Sequence, residues 1–419
     1  MKVRRTIPPA AAPVSFGDIA RGLAGLLGRG AAARLERELR EEFGAEHVFL
    51  VSSGRASLAL ILSGLHSLSG RRKVVVPAYT CYSVPSAVVR AGLEVVPCDV
   101  DPDTLDFDPG RLERLLGPDT LCVVPTHLFG VPADVSRVRA AAAGKGIYVV
   151  EDAAQSMGVR MGGKPSGTLG DVGFFSLGRG KNVTCGSGGI ILTSDDAIAR
   201  SIAARWAGLE REPAVRLLKD IAEVALMAVF LDPRLYWFPS GLPFLGLGET
   251  RYAPDFPIRR MSGFRAGLMR SWRSRLERSN RRRAEAAARY AAELGLRNGR
   301  AVHSGGGPLL RFPVCGEGPA FKERVCLRYA HLGISPMYPG PIDRIGGLPT
   351  APGEGPFPGA EAVAASLVTL PTHELLTEND ISNVCAALRA EGMAPGAPPP
   401  ARAAESAGGG ERNGCRTGS

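Results

Sequence analysis

The chain has no Cys-x-x-Cys pair: its eight cysteines, at 81, 98, 122, 185, 315, 326, 385 and 415, are scattered along 419 residues. That spacing indicates neither a zinc site nor a disulfide framework, no metal is expected, and the thiols suit a reducing cytoplasm. No secretory leader is expected either, because Met1-Lys-Val-Arg-Arg is basic but Thr6 to Pro13 is rich in proline and alanine rather than continuously apolar. No run is long enough to span a bilayer; the apolar stretch Ile221 to Leu231 has eleven residues and contains Glu223. The phosphate loop of nucleotide hydrolases is absent as well. Its pattern needs glycine five positions before a Gly-Lys pair, where this chain has Phe175, and Ser or Thr after the lysine, where it has Asn182. The net charge of +10 comes without a recognised nucleic-acid module. Between Arg259 and Arg283 the arginines are interleaved with Phe264, Leu268, Trp272 and Leu276 every fourth residue. This predicts an amphipathic helix with its arginines on the solvated face or in a subunit contact, and no nucleic-acid partner. A basic surface also suits an anionic substrate such as a nucleoside diphosphate.

What is present, 45% hydrophobic and 22% charged residues in a chain of this length, is the composition of a soluble protein with room for two domains. Apolar runs at 48–52, 73–77, 92–99, 122–125, 148–150, 172–175 and 186–192 alternate with helical stretches, which predicts an α/β fold with a mostly parallel central sheet. Glu151-Asp152 falls where such a sheet hands over to loops at its ligand edge, so Asp152 is a candidate for touching a ligand. Ser176-Leu-Gly-Arg-Gly-Lys181-Asn182 holds one lysine in a tight turn between strands. Alone, such a lysine is usually solvated, and an aspartate before Ala153-Ala154 is as readily a helix cap. Ser53-Gly54-Arg55-Ala56-Ser57 opens the apolar helix Leu58 to Leu65, so backbone N–H groups there would face a ligand phosphate. His127, after the strand at 122–125, reads as a hydrogen-bonded structural residue.

EDAAQ at 151–155, S-x-x-x-x-K-N at 176–182 and GSGG at 186–189 together resemble the DegT/DnrJ/EryC1/StrS family of sugar aminotransferases. The resemblance implies the aspartate-aminotransferase-like fold of the pyridoxal 5'-phosphate (PLP) enzymes, with a large domain and a smaller C-terminal α+β domain. It makes Lys181 the residue that carries the cofactor covalently and Asp152 the acid beside the pyridine nitrogen. Gln155 and Ser176 are further cofactor contacts, with Ser176 on the phosphate. A lysine amine must be neutral to attack an aldehyde, which burial or a neighbouring cation achieves, and Arg179 is the candidate cation. Two positions depart from the family. S-G-T-A-A-L becomes Ser53-Gly54-Arg55-Ala56-Ser57-Leu58, which keeps backbone contacts from Gly54, Arg55 and Ala56 and offers the Arg55 guanidinium in place of a threonine hydroxyl. The aromatic residue that commonly stacks on the cofactor ring is replaced by Cys81, so either its thiol or a shifted Tyr82 covers the ring.

By the same comparison, residues 1–15 are an N-terminal tail and 16–257 the large domain, in which 206–257 forms an extended insertion. Residues 258–391 are a connecting helix and the small domain, and 392–419 are disordered. In the insertion, Ile221 to Leu231 is expected to be a packed helix at the subunit interface. Where the family has N-Y-R-M-S-E, reaching the neighbouring active site, this chain has Ile258 to Gly263. The implied protein is a cytoplasmic homodimer that moves an amino group from a donor, glutamate, to a keto sugar carried on a nucleotide. A sugar dehydratase of this fold has histidine in place of the lysine, which Lys181 argues against. A non-sugar ketone acceptor stays open, while a non-catalytic regulatory relative would be expected to lack Lys181 or Asp152.

Overall fold

The computed structural model describes residues 5–28, 30–242, 246–248, 250–295, 307–350 and 355–393. Short Val- and Ile-rich segments form β1 His47–Val51, β2 Lys73–Pro77, β3 Glu94–Cys98, β4 Thr120–Val123 and β5 Tyr148–Asp152. A hairpin of β6 Arg160–Met161 and β7 Lys164–Pro165 follows, then β8 Val172–Ser176 and β9 Gly189–Thr193. Seven of these make one sheet in the order β1-β9-β8-β5-β4-β2-β3. Its strands are buried on both faces, which is why they read as continuous apolar runs. All are parallel except β9, which is antiparallel to both β1 and β8. Gly189 is required at that junction, since a Cβ there would lie 2.3 Å from the Ser53 carbonyl.

The stretch predicted as helical over 16–46 is two helices, α1 Phe16–Leu27, closed at its start by a Ser15–Asp18 capping box, and α2 Ala31–Phe43. Leu35, Leu39 and Phe43 form the buried stripe of α2, and Gly44, at φ 63°, ends it. Helix α3, Gly54–Ser69, follows β1 and is buried along most of its length; α4 is Ser83–Arg90. The arginine-rich stretch is not one helix. It breaks into Gly263–Leu268, a 3-10 turn at Met269–Ser271, and the long helix Trp272–Leu294. Ser262 caps the first piece, and glycines let it lie directly against α1: a Cβ on Gly25 would stand 2.3 Å from the Gly263 carbonyl.

Its arginines also depart from expectation, for Arg265, Arg275 and Arg283 are buried rather than solvated. Buried charge must be met by polar partners. Arg265 pairs with Glu212 and Asp220, so the insertion helix Ala214–Phe230 is pinned to the short helix Gly263–Leu268. Arg275 and Arg283 instead donate to main-chain carbonyls, among them those of Pro13 and Ala11. The residues expected as a tail are thus packed: Ile7, Ala11, Ala12 and Val14 are buried, His373 bonds the Pro8 carbonyl at 2.8 Å, Arg311 bonds that of Pro9, and Arg5 pairs with Asp380.

The C-terminal part is built on an antiparallel pair, β10 Arg311–Cys315 and β11 Leu367–Pro371. Helices Gly318–Tyr329 and Glu378–Ala390 and the end of the long helix cover it around Tyr290, Phe312, Val325 and Leu388. Thr377 and Asp380 form a capping box at the start of Glu378–Ala390. Of the segment expected to be disordered, all beyond Met393 lies outside the described residues.

Candidate active site

The C-terminal ends of β2, β5 and β8 and the start of α3 open on one edge of the sheet, where a doubly wound fold binds its ligands. A cleft of about 440 Å³ there is lined by Gly54, Arg55, Cys81, Asp152, Gln155, Ser176 and Lys181, together with Leu58, Ser83, Val84, Ala154 and Phe174. Every residue singled out for the site lines it except Ala56. That residue is buried behind the cleft, and its N–H is taken by the Ser53 hydroxyl at 3.2 Å. Among the described residues the N–H groups of Gly54 and Arg55 have no acceptor, so of the three expected backbone donors two are free and that of Ala56 is taken.

Asp152 ends β5 and is not a helix cap, since no helix begins after it. One carboxylate oxygen accepts the Ala154 N–H at 3.0 Å; the other has no donor among the described residues. Burial pushes its carboxyl up from the ordinary range, opposed by that N–H and by the charge of Lys181. Burial likewise lowers the Lys181 amine, against the influence of Cys81 and Asp152. Arg179, expected to supply that effect, is exposed, and desolvation does it instead. The lysine loop is closed by the Leu177 N–H on the Gly188 carbonyl at 2.8 Å.

Three residues of the long helix grip this loop and were not read from the sequence. Arg283 donates to the Lys181 carbonyl at 3.4 Å, Asn280 accepts from the Asn182 amide at 2.9 Å, and Arg275 donates to the Thr184 carbonyl at 2.9 Å. Their spacing puts them on one helix face, the only sequence signal available. Tyr338 was missed as well. Its hydroxyl receives Gln155 Nε2 at 3.4 Å, and its ring lies between Tyr79 and Phe129. Gln155 Oε1 accepts the Phe129 N–H at 3.1 Å, which fixes the amide's orientation. At the position of the missing aromatic it is Cys81 that lines the cleft, while Tyr82 packs on the core.

His127 is structural, as expected. Its Nδ1 accepts the Ala133 N–H at 2.9 Å, so its Nε2 donates to Glu151, 2.8 Å away. Glu151 in turn accepts N–H groups of Gly167, Leu169 and Gly170. Of the adjacent acids at 151 and 152, one holds a loop and the other faces the cleft, because successive strand residues point to opposite sides. The Arg55 side chain does not turn back to the helix start: its guanidinium carbon lies 4.6 Å from the centroid of Phe256.

A mostly parallel sheet with a half-buried lysine and a buried carboxylate lining one cleft at its C-terminal edge defines an enzyme of the aspartate-aminotransferase fold class. Residues 24–389 match the DegT/DnrJ/EryC1/StrS aminotransferase family, and the chain belongs to that family. It is 36% identical over 170 residues (41% of this chain, 40% of the relative) to an L-glutamine:2-deoxy-scyllo-inosose aminotransferase of Streptomyces kanamyceticus. It is 32% identical over 205 residues (49% of each chain) to a GDP-perosamine synthase of Caulobacter vibrioides. The chain thus spans less than half the length of these curated relatives. The crystal structure of the sugar aminotransferase CalS13 from Micromonospora echinospora superposes with a TM-score of 0.72 at 26% identity, covering 92% of this chain and 99% of that one.

Proposed function

We propose that this chain is a PLP-dependent aminotransferase that takes an amino group from glutamate and delivers it to a keto sugar carried on a nucleotide. The observation that carries the reading is the pairing of a desolvated lysine amine with a buried carboxylate across one cleft, beside a helix start with two N–H groups left open. That donor set fits the cofactor. The Gly54 and Arg55 N–H groups and the Ser176 hydroxyl are anion donors at one end, and Gln155 and Cys81 line the walls between. When bound, PLP supplies a carbonyl that exchanges amines and a ring that accepts the electron pair left by a departing proton. Asp152 would stand beside the ring nitrogen and, as a carboxylate, favour its protonated form. Lys181, whose amine burial holds below its ordinary pKa, would hold the cofactor and then move the proton at the substrate carbon as base and acid.

The names of the relatives, which include a sugar aminotransferase and a GDP-perosamine synthase, support the acceptor class. A homodimer is supported by the surface: among the described residues, all exposed large hydrophobic side chains except Leu68 and Leu327 lie on α1 or between 215 and 247. The insertion helix Ala214–Phe230 buries only Asp220 and Val224, and its outer face of Val215, Leu218 and Leu226 is open, as an uncovered subunit contact would be. A cytoplasmic location agrees with the free cysteines; no helix of the described residues is long and apolar enough to cross a membrane. Protein incubated with PLP should gain a visible absorption band that L-glutamate bleaches and that Lys181→Ala lacks. A wild type that gains no band refutes the assignment.

A further inference from the structure

Arg55 is the second residue of α3, where the backbone N–H faces the cleft but the side chain is free to leave. Its guanidinium carbon lies 4.6 Å from the centroid of the Phe256 ring, which is itself buried against the cluster that holds Leu58 and Val84. Phe256 belongs to the strap by which the insertion returns across α3 and α4. The strap is tied by the Ala253 N–H to the Ser86 hydroxyl at 3.1 Å and by Arg90 Nε to the Phe256 carbonyl at 3.0 Å. The ring is therefore a fixed shelf, and a guanidinium on an aromatic face is held without being neutralised.

No carboxylate, hydroxyl or carbonyl among the described residues bonds this guanidinium, although it is half-buried and lines the same cleft as Lys181 and Asp152. Burial pulls its pKa down, with only the Cys81 thiol opposing. A partly desolvated cation without a counter-ion is costly, and an incoming anion relieves that cost. Separate anion donors, the Gly54 and Arg55 N–H groups and the Ser176 hydroxyl, gather at the helix start, where a Cβ on Gly54 would lie 2.9 Å from that hydroxyl. The cofactor phosphate therefore has its own donors.

We propose that the Arg55 guanidinium, shelved on Phe256, is the receptor for an oxyanion of a reactant: the carboxylate of the amino donor or the diphosphate of the nucleotide-linked acceptor. The inference rests on the aminotransferase reading. The family's threonine has neither the reach nor the charge for this task. Phe256 supplies preorganisation, because a guanidinium already lying on a ring loses little rotamer freedom when the anion arrives.

The test uses wild type, Arg55→Thr, Arg55→Lys and Phe256→Leu in three titrations: PLP into the apoprotein, L-glutamate into the loaded protein, and UDP, GDP and dTDP into the apoprotein. Arg55→Thr should bind PLP within about twofold of wild type while one reactant arm weakens about ten- to hundredfold. Whichever arm weakens identifies the oxyanion. Arg55→Lys should recover part of the loss, and Phe256→Leu, which keeps the charge but removes the shelf, should weaken the same arm. If Arg55→Thr does not fold, Arg55→Lys and Phe256→Leu decide by the same titrations. Weakened PLP binding with both reactant arms unchanged would give the guanidinium to the cofactor phosphate; no change in any arm would leave it without an anion. Either result overturns the proposal. A wild type that takes up no PLP refutes the aminotransferase reading instead, and the nucleotide arm, which needs no cofactor, then decides Arg55 alone.

Discussion

Acidification should unclasp the N-terminal segment through His373. The ring is buried, with Nε2 2.8 Å from the Pro8 carbonyl. A carbonyl only accepts, so Nε2 carries the hydrogen and the ring is neutral. Among the described residues its Nδ1 has no partner, and a proton placed there would face Arg283 and Arg311, with Asp380 opposing them. Burial, with those two guanidiniums, pushes the folded pKa down to about 3 from 6.5. The unfolded chain therefore binds the proton more readily. The histidine's contribution is complete above its unfolded pKa and is lost as pH falls from 6.5 toward 3. At about 1.4 kcal/mol per unit, moving from about pH 7 to about pH 5 should remove roughly 2 kcal/mol. The stabilised carboxylates Asp18 and Asp380 titrate below 3.8 and stay outside this window. Urea unfolding of the apoprotein at both pH values, for wild type and His373→Gln, isolates the effect because every other group is common to the two. The variant should be less stable at neutral pH yet lose about 2 kcal/mol less on acidification. Equal losses in the two proteins would refute the argument.

Asp152→Asn keeps the shape of the cleft and removes the charge opposite Lys181; it should still bind PLP but turn over at least about a hundredfold more slowly. Steady-state rates beside a PLP titration check this, and full activity would remove Asp152 from the site. Gly25→Val should lower the unfolding free energy by about 1–3 kcal/mol, since its Cβ would stand 2.3 Å from the Gly263 carbonyl and the two helices must part. An unchanged denaturation midpoint would show that α1 yields without loss.

The sheet and most of the cleft were legible because their signals are local: strand runs, a strand-end acid, a lysine turn and a helix start each sit within a few residues. The reversed direction of β9 left no such mark, since direction depends on pairing with β1 and β8. Arg265, Arg275 and Arg283 were misread because residue type alone suggests solvent. Their burial depends on acceptors far away in sequence, such as Asp220, Thr184 and Leu310. The contact of Arg55 with Phe256 was out of reach for the same reason, as about two hundred residues separate the cleft wall from the strap. Tyr338 reaches Gln155 from 183 residues further along the chain, with no motif around it.

The N-terminal segment is recognised through its backbone. The carbonyls of Pro8, Pro9, Ala11 and Pro13 meet His373, Arg311, Arg283 and Arg275 in turn, and prolines suit this use because they offer an acceptor with no donor to satisfy. Several peptide dipoles thus solvate three buried guanidiniums, of which, among the described residues, Arg275 alone has a carboxylate at ion-pair distance, Asp18 at 3.8 Å. The segment is accordingly a dry solvent shell made of chain. Beyond its buried side chains, what the segment contributes is an extended main chain of set length and position, and cutting it away would expose cations that it holds.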